Sequence, residues 1–390
     1  MLTKNIKFRN FKFKGSSKKS KKILSIYKKF IKEKNEIILS IDKNYKDSFS
    51  NKIVNKLKKI NEIILIGMGG SVLGSKAIYN FLKPKKKIKF IDNLDSIPLQ
   101  IDNKRKIVLI ISKSGNTLET ISNSNILLRK KNTNIFITEN KKSYLMDLAH
   151  KLKSEIIHHN NFIGGRYSVL SEVGMLPAQL MGFKVKNFRR LNQLVNKKGF
   201  VDLLVKNVAN ILSLINKKKT NSVILNYDDR SNDLFNWYQQ LVAESIGKKN
   251  KGLLPIISVM PRDNHSLMQY YLDGVKNHFF TFFFVKNKDS KKINNNFLLN
   301  SHSYLKNKSI NDISYSQFVA TERVFKKKKI PFRSFVINHR NEQSLGELFT
   351  FFILETILLG KAMKINPFDQ PAVELIKEQT KKTLISKKYF

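Results

Sequence analysis

The sequence predicts an α/β protein with two αβα sandwich domains, parallel sheets and a helical C-terminal extension. Three observations support this fold class. Short apolar runs alternate with helical patterns in both halves of the chain, which is typical of βαβ units. Polar or glycine-rich turns follow two of the runs, at the positions where parallel sheets bind ligands. The 390 residues also suffice for two or three domains with ample cores.

The first half of the chain contains a basic lead-in and a βαβ pattern. Residues 1–45 form the lead-in with a predicted helix at 24–39, and residues 46–185 are predicted as the first domain. Its strands are expected at 61–66, 106–111 and 134–138, with helices that end near residues 82 and 129. Because helices connect the strands, the strands should run parallel.

The second half repeats the alternation and is predicted as a second domain over residues 186–340. Its strands are expected at 223–226, 254–259, 278–285 and 332–337, and its helices at 233–246, 265–273 and 315–326. The polar stretch 287–313 is typical of a long loop. Residues 341–390 are predicted as C-terminal helices, and they begin with a strongly apolar helix at 342–362.

The composition indicates a cytoplasmic enzyme without disulfide or membrane-spanning elements. The chain has no cysteine, which excludes a disulfide framework and a cysteine-based metal site. Its apolar runs are shorter than the roughly 18 residues of a membrane span, and 279–285 is typical of a buried strand. The basic segment 1–22 lacks the apolar core of a secretory signal, but it is free of acidic residues, which leaves an organelle transit peptide as an alternative.

The formal net charge of +44 suggests nucleic-acid binding, because basic patches bind phosphate backbones. The lysines, however, are spread over the whole chain and accompany many Asn, Ile and Phe residues, which share A/T-rich codons. Biased base composition therefore explains them together. Runs such as 85–87, 217–219 and 326–329 lie between apolar segments and are typical of solvated loops. We expect no specific nucleic-acid partner, only weak and salt-sensitive adhesion to polyanions.

A glycine-rich turn follows the first predicted strand. It reads Gly-Met-Gly-Gly-Ser at 67–71, and a dinucleotide fingerprint would need a third glycine where Val72 stands. The P-loop pattern of nucleotide-binding proteins is missing as well. Glycines let the backbone approach a ligand closely, and the free amides at a helix start favour an anion. The turn is therefore a candidate anion-binding element.

The turn after the next predicted strand adds hydroxyl groups and one positive charge. Ser112, Ser114 and Thr117 supply hydroxyls, and Lys113 supplies the charge. Such groups suit a phosphate monoester, which carries about −1.5 to −2 charges at neutral pH. Helix capping explains a lone Ser/Thr-rich turn better, but the neighbouring glycine-rich turn favours a phosphate site. The two turns resemble the sugar isomerase (SIS) fold, whose members hold phosphosugars at such loops, and the fold implies a ligand class without a reaction.

Glu244 is the candidate general base. Converting an aldose phosphate into a ketose phosphate needs an acid–base pair for ring opening, a base for the proton between C1 and C2, and a cation or strong donor at the enediolate. Gln240 precedes Glu244 by one helical turn, so both lie on one helix face. Apolar residues between them place this face partly inside. A surface helix position is the alternative for Glu244.

Three further candidates have weaker patterns. His265 follows a strand at a helix start, although a lone histidine is more often structural. Arg166 follows two glycines at 164–165, which suggests a backbone held tightly so that the guanidinium reaches a site. Lys377 lies seven residues after Gln370, about two helical turns, so both side chains can point the same way.

Six segments together resemble the successive signatures of the glucose-6-phosphate isomerase family. They are 66–74, 112–120, 164–174, 240–248, 260–274 and 366–377, in the order that the family has. The strings Gly-Gly-Arg-Tyr-Ser, Glu-Ser-x-Gly-Lys and Pro-Phe-Asp-Gln-Pro are specific in combination. The resemblance implies an aldose–ketose isomerase that interconverts glucose 6-phosphate and fructose 6-phosphate through ring opening and enediolate proton transfer.

The resemblance also implies a role for each candidate residue. Glu244 would move the proton between C1 and C2, and Arg166 would stabilise the enediolate. His265 would assist ring opening, with Lys377 near the ring oxygen or the C1 end. Glu119 would help to orient the histidine. The phosphate would be held by Ser112, Lys113, Ser114 and Thr117, and the sugar would contact Gly70, Ser71, Gln240 and Gln370.

The resemblance implies no cofactor and no metal, and in this family the histidine comes from the neighbouring subunit. A homodimer with His265 contributed across the interface is therefore implied. The chain is short for the family, so trimmed peripheral loops are expected. The string Ser-Gly-Asn-Thr at 114–117 also resembles bifunctional phosphoglucose/phosphomannose isomerases, although Lys113 and the C-terminal signature fit the main family better. Activity on mannose 6-phosphate stays open, and a non-catalytic phosphosugar-binding protein is the other alternative.

Overall fold

The computed structural model describes residues 2–10, 17–94 and 105–386, and these residues form two five-stranded sheets packed against helices. The strands are β1 (Ile6–Arg9), β2 (Glu62–Gly67), β3 (Lys87–Ile91), β4 (Ile107–Ile111), β5 (Thr133–Glu139), β6 (Glu155–His159), β7 (Asn221–Asn226), β8 (Leu254–Val259), β9 (His278–Val285) and β10 (Phe332–Ile337). The α-helices are α1 (Ser17–Lys32), α2 (Glu36–Ile41), α3 (Asn51–Leu57), α4 (Leu73–Leu82), α5 (Leu118–Leu127), α6 (Tyr144–Lys151), α7 (Glu172–Leu180), α8 (Val185–Phe188), α9 (Leu191–Val195), α10 (Lys198–Asn216), α11 (Asn232–Ile246), α12 (Met268–Asp273), α13 (Ile310–Lys327), α14 (Glu342–Ala362) and α15 (Glu374–Ser386). Part of the predicted lead-in, 11–16, lies outside the described residues.

The first sheet is entirely parallel and has the strand order β3–β2–β4–β5–β6. The strands predicted from the sequence correspond to β2, β4 and β5. The sequence does not predict β3 and β6, because charged or polar residues interrupt both of these edge strands and weaken the apolar signal. Gly67 of β2 lies opposite Ile111 of β4. The glycine-rich turn and the Ser/Thr-rich turn therefore leave the sheet at the same edge.

The second sheet has the order β1–β10–β9–β7–β8 and is parallel except for β1. The four strands predicted for this half, β7 to β10, are confirmed. Strand β1 comes from the lead-in and pairs antiparallel with β10, with Ile6 opposite Ile337. Lys7 and Arg9 alternate with Ile6 and Phe8, so this edge strand faces the core on one side only. That short alternation is hidden in a basic segment, which is why the sequence does not predict it.

The helices predicted at 24–39 and 265–273 differ from their predicted bounds. The helix predicted at 24–39 is interrupted between α1 and α2, because Lys34 has a φ of 42°. Asn35 then caps α2 through its side chain, which starts a new helix. The helix predicted at 265–273 begins only at Met268, because the residues before it form a separate 3-10 turn.

The predicted long loop at 287–313 is shorter than expected. Helix α13 begins at Ile310, five residues before the predicted start at residue 315. A capping box explains this early start, because the Ser309 side chain accepts from the Asp312 amide and the Asp312 carboxylate accepts from the Ser309 amide. The loop itself contains two short 3-10 turns.

Helix α14 is buried along most of its length and packs against α8, α10 and α11. It carries Glu355, which forms a fully buried ion pair with Arg333 of β10. The side chains of Asn207 and Tyr238 donate hydrogen bonds to the same carboxylate, so that the buried charges are compensated. Because Tyr238 lies on α11, this network fixes the helix that carries Glu244.

The hydrophobic core runs across both halves of the chain. One buried cluster contains Leu65 of the first sheet together with Phe335 of the second. Helix α11 contacts α4 from the first half, β8 from the second half and α14. The domain boundaries predicted at residues 46, 186 and 341 stay a prediction.

Helix α10 is the one described helix that is long and apolar enough, by length and composition, to cross a membrane. In the structure 56% of that stretch is buried inside the fold. The helix packs against α1 and α14. We therefore interpret α10 as a core helix.

We predict that Glu355→Ala lowers the free energy of unfolding by about 3–5 kcal/mol, because it leaves the Arg333 guanidinium buried without its carboxylate. Urea denaturation followed by the fluorescence of Trp237 measures this change. Glu33→Ala is the control, because Glu33 forms a partly exposed ion pair with Lys361 at 3.2 Å, and the loss there should stay below about 1 kcal/mol. Equal losses in the two variants would contradict the assigned role of the buried pair.

Candidate active site

Arg166 is the centre of the candidate site. It lies in the 3-10 turn Gly165–Leu170 between β6 and α7 and is 1% exposed. Its guanidinium donates hydrogen bonds to α11 and to a turn near the C-terminus. The acceptors are Ser245 Oγ at 2.7 Å, Glu244 Oε1 at 2.7 Å, Gln370 Oε1 at 2.6 Å, Pro367 O at 2.8 Å and Asp369 O at 3.1 Å. The rigid fork of donors on arginine lets one buried cation hold these segments together.

Glu244 lies on α11 with its carboxylate between Arg166 and Gln240. Its second oxygen, Oε2, accepts a hydrogen bond from Gln240 Nε2 at 2.9 Å, so the two residues share a helix face as their spacing predicts. The Glu244 side chain is 24% exposed and borders a cavity of about 550 Å³ that Gln370 also lines. The carboxylate is accessible beside the guanidinium and can therefore act as a general base.

The site is not the largest cavity of the molecule. Two cavities of about 880 and 890 Å³ have none of the predicted site residues in their lining. We assign the site to the smaller cavity because polar side chains converge there. In the described part of the chain, no group of three or more His, Asp or Glu side chains is placed to hold a metal ion.

Two glycines allow the first predicted turn to pack tightly. A Cβ atom at Gly70 would lie 2.1 Å from the carbonyl carbon of Gly165. Gly69 has a φ of 51°, and a Cβ atom there would lie 2.9 Å from Gln240 Nε2. Both positions therefore require glycine. The turn, which ends at Ser71, lies against α11 and against the loop of the buried arginine.

The second turn presents hydroxyl groups and a lysine at the start of α5. Ser112 Oγ lies 2.8 Å from Thr117 Oγ1, and Ser114 is exposed beside them. Lys113 Nζ lies 3.3 Å from Glu139 Oε1. Thr117 is the N-cap residue of α5, but its side chain accepts no hydrogen bond from the helix amides. Helix capping, the alternative explanation for this turn, therefore does not account for Thr117.

The strand register connects the two turns to the base. Gly67 and Ile111 are opposite each other at the ends of β2 and β4, so the turns that follow them are neighbours at one sheet edge. The glycine-rich turn lies close to Gln240, and Gln240 is the hydrogen-bond partner of Glu244. The hydroxyl-rich turn, the glycine-rich turn and the carboxylate thus follow one another across the site.

The structure does not bring the remaining three predicted residues to Glu244. His265 is exposed at the end of the turn that follows β8. Lys377 lies on the exposed helix α15, where its Nζ pairs with Glu374 Oε1 at 2.7 Å. Glu119 lies in the first turn of α5. Within the described residues, no hydrogen bond joins any of these three side chains to Glu244.

The prediction that Gln370 and Lys377 share one face of a helix is wrong. The helix α15 begins at Glu374, and Gln370 precedes it with a φ of −152° and a ψ of 68°. A 3-10 turn, Pro371–Val373, separates them. The proline disfavours the helical conformation for the residue before it. Gln370 consequently faces Arg166, whereas Lys377 projects from an exposed helix.

The sequence reasoning missed the groups that support the arginine. The Tyr167 hydroxyl lies 2.8 Å from Ser245 Oγ and donates to Pro367 O at 3.0 Å. Lys248 Nζ donates to Asp369 Oδ1 at 2.6 Å, and this hydrogen bond lowers the pKa of Asp369. All of these residues lie within the strings that carry the family resemblance. The sequence strings therefore indicate that these residues are important, but their spacing alone does not show which of them form hydrogen bonds with one another.

The fold defines a class, the α/β proteins with the SIS-type fold. The structure of a hypothetical protein from Thermus thermophilus matches with a TM-score of 0.82 and 22% identity, over 94% of this chain and 96% of that one. The structure of a glucose-6-phosphate isomerase from Chlamydia trachomatis matches with a TM-score of 0.73 and 18% identity, over 100% and 90% of the two chains. At these identities the likeness shows the fold alone.

Sequence comparison identifies the family. The family model for phosphoglucose isomerase matches residues 18–257. The glucose-6-phosphate isomerase of Methanocaldococcus jannaschii is 31% identical over 357 residues, which cover 85% of this chain and 86% of that protein. The glucose-6-phosphate isomerase of Mycoplasmopsis pulmonis is 31% identical over 365 residues, covering 85% and 84%. The chain belongs to the phosphoglucose isomerase family, and the predicted family resemblance is confirmed.

We predict that Gly70→Ala lowers the free energy of unfolding by about 1–3 kcal/mol, because the added methyl group forces two backbone segments apart. Gly199→Ala is the matched control. A Cβ atom at Gly199 meets nothing within 4 Å, and the change lies in α10, so it should be neutral or stabilising by up to about 1 kcal/mol. Urea denaturation of both variants measures the difference. A Gly70→Ala protein as stable as Gly199→Ala would refute the tight contact of the turn with Gly165.

Proposed function

We propose that this protein interconverts glucose 6-phosphate and fructose 6-phosphate by ring opening and proton transfer through an enediolate. The observation that carries the proposal is the contact between Glu244 and Arg166, a base and a cation held beside a cavity. Family membership and the names of the relatives support the substrate pair. The geometry supports the proton-transfer step with a base and a cation in contact.

Glu244 is the proposed base for the proton at C1 and C2. These two carbons are neighbours in the open-chain sugar, so one carboxylate can remove the proton from one carbon and return it to the other. Arg166 and Gln240 each hold one oxygen of the carboxylate, which fixes its direction. The partly exposed side chain can still be reached by a substrate.

Arg166 is the proposed stabiliser of the enediolate. Its guanidinium stays charged in a protein and cannot itself give up the proton. When Glu244 takes a proton, the carboxylate loses its charge while negative charge develops on the substrate oxygens. The buried guanidinium then exchanges one anionic partner for another. Such a preorganised cation acts strongly where water is excluded.

The two turns are the proposed binding site for the phosphate and the sugar. Ser112, Ser114 and Thr117 supply hydroxyls, Lys113 supplies a charge, and the uncapped amides at the start of α5 favour an anion. Gln240 Oε1 is buried and has no hydrogen-bond partner among the described residues. This oxygen can accept a hydrogen bond from a sugar hydroxyl. We assign Gly70, Ser71 and Gln370 to the sugar contacts as well.

We propose a homodimer in which His265 of one subunit assists ring opening in the active site of the other subunit. Lys377 is the proposed second group for this step. Two observations support this arrangement. His265 is exposed and makes no hydrogen bond to the site of its own chain within the described residues. Helix α15 carries exposed apolar residues, including Leu375 and Ile376, which a second subunit can cover. Glu119 stays a proposed partner that orients the histidine.

We further propose that the protein acts in the cytoplasm and has no specific nucleic-acid partner. A phosphorylated hexose is charged, so it does not cross a bilayer freely and stays in the compartment where it is formed. The basic run at 326–329 is exposed to solvent, but it begins in the last turn of α13 and is therefore a solvated helix end, not the predicted loop.

We predict that Glu244→Gln lowers turnover by about 10²- to 10⁴-fold, because it removes a positioned base. Substrate affinity should change little, since the phosphate turns are untouched. A coupled assay measures turnover, and exchange of the C2 hydrogen in deuterated water shows whether proton abstraction is lost. Glu33→Gln, a change at a partly exposed carboxylate, is the control with unchanged activity. A fully active Glu244→Gln protein would show that another group is the base.

The shared site can be tested by mixing two inactive variants. If His265 acts across the interface, a heterodimer of Glu244→Gln and His265→Gln subunits has one site with both groups intact. Random pairing of the two chains should then restore about a quarter of the wild-type activity. Each variant alone, denatured and refolded in the same way, is the control. Failure to recover activity in a confirmed heterodimer would place the histidine in the site of its own chain or outside the mechanism.

A further inference from the structure

A buried histidine–glutamate pair, His159 and Glu172, closes the loop that carries Arg166. This arginine loop, residues 160–171, leaves β6 at His159 and enters α7 at Glu172. His159 Nδ1 lies 2.6 Å from Glu172 Oε1, and both side chains are 1% exposed. The pair therefore joins the residue before the loop to the residue after it.

The same two side chains also hold the backbone of the arginine loop. Glu172 Oε1 accepts from the Asn160 amide at 2.9 Å. His159 Nε2 donates to the carbonyl oxygen of Ile163 at 2.9 Å. Ile163 comes directly before the glycines at 164–165. The loop is thus fastened at its entry, just before its glycines and at its exit.

These contacts show which atoms of the pair donate and which accept. A carbonyl oxygen can only accept, so His159 Nε2 carries a proton. The Glu172 carboxylate accepts from Asn160 and from the Tyr45 hydroxyl, the latter at 3.1 Å, which suits an ionised carboxylate that also accepts from His159 Nδ1. Burial raises the pKa of Glu172, but the hydrogen bond and charge of His159 outweigh it and leave the pKa below its usual value. Glu172 is therefore the anionic member of the pair.

The arginine loop is in direct contact with the other elements of the site. Gly165 packs against Gly70 of the glycine-rich turn. The Arg166 carbonyl oxygen accepts from Trp237 Nε1 at 3.2 Å, and its guanidinium contacts Glu244. A shift of the loop must therefore move the guanidinium relative to the base. A misplacement of about 1 Å in such a group can cost on the order of 10²-fold in rate.

We propose that His159 and Glu172 are a positioning pair for the isomerase reaction, which sets the reach of Arg166 to the enediolate without touching the substrate. This inference rests on the proposed function. It assigns a role to two titratable residues that neither the phosphate turns nor the proton transfer uses. It also explains why a loop of twelve residues can hold a buried arginine in one geometry.

The test is Glu172→Gln, which keeps the size of the side chain and removes its charge. We expect kcat to fall at least about tenfold while KM for glucose 6-phosphate stays near the wild-type value, because the phosphate turns are separate elements. The primary isotope effect with glucose 6-phosphate deuterated at C2 should rise, since enediolate formation becomes more strongly rate-limiting. Glu172→Asp keeps the charge and should recover part of kcat.

A matched control separates positioning from general destabilisation. Glu322 is another buried carboxylate, 5% exposed and paired with Arg9 at 2.8 Å, but it supports the second sheet. Glu322→Gln should lower the melting temperature and leave kcat and the isotope effect unchanged. Tyr45→Phe removes one hydrogen bond from Glu172 and keeps its contact with His159. It should lower kcat slightly in the same direction, and it keeps the test possible if Glu172→Gln does not fold.

The outcomes distinguish this inference from the proposed function. A folded Glu172→Gln protein with wild-type kcat and isotope effect overturns the positioning role, even where Glu244→Gln is inactive. Equal losses of kcat in Glu172→Gln and Glu322→Gln overturn it as well. Full activity of Glu244→Gln would instead overturn the proposed function. If Glu172→Gln does not fold, wild-type kcat in Tyr45→Phe overturns the positioning role.

Discussion

Burial of the Arg166 guanidinium is the constraint on which the rest of the structure depends. A buried cation is stable only when acceptors compensate the water that it has lost. The acceptors come from α11 and from the turn near the C-terminus, so these distant segments must meet at the arginine loop. The glycine at position 70 allows the approach from the other side. Among the acceptors, Glu244 combines a negative charge with access to a cavity, and the chemistry of the site follows from it.

In the proposed mechanism, phosphosugar binding and isomerisation use different elements of the fold. The turns after β2 and β4 lie at the sheet edge, and their glycines, hydroxyls and one lysine are the proposed phosphate-binding groups. The base and the cation come from α11 and from the loop after β6. The buried pair of Arg333 and Glu355 also fixes α11, because Tyr238 of this helix donates a hydrogen bond to Glu355. The proposed binding and catalytic groups thus lie on different elements, and Gln240 lies between them, close to Gly69 and bonded to Glu244.

The parts of this structure that the sequence predicts are those with strong local patterns. The apolar runs of β8, β9, β10 and α14 give their bounds correctly, and helical spacing places Gln240 beside Glu244. Strand β1 and helix α15 are harder to predict. The strand lies in a basic segment that masks its apolar alternation, and the helix begins later than its pattern indicates because a proline turn precedes it. The partners of a buried charge are not predictable from spacing. His159 and Glu172 are thirteen residues apart, and only the fold brings them together. The same holds for His265, whose proposed role depends on a second subunit.

The most direct test of the paired base and cation is a crystal structure with a non-reactive hexose phosphate analogue that carries a planar anion at C1 and C2. We predict that its phosphate contacts the turn at 112–117 and that its planar end lies within hydrogen-bond distance of both Glu244 and Arg166. An analogue that binds with its phosphate at another surface would contradict the assignment. So would a planar end that is out of reach of Glu244 in every subunit.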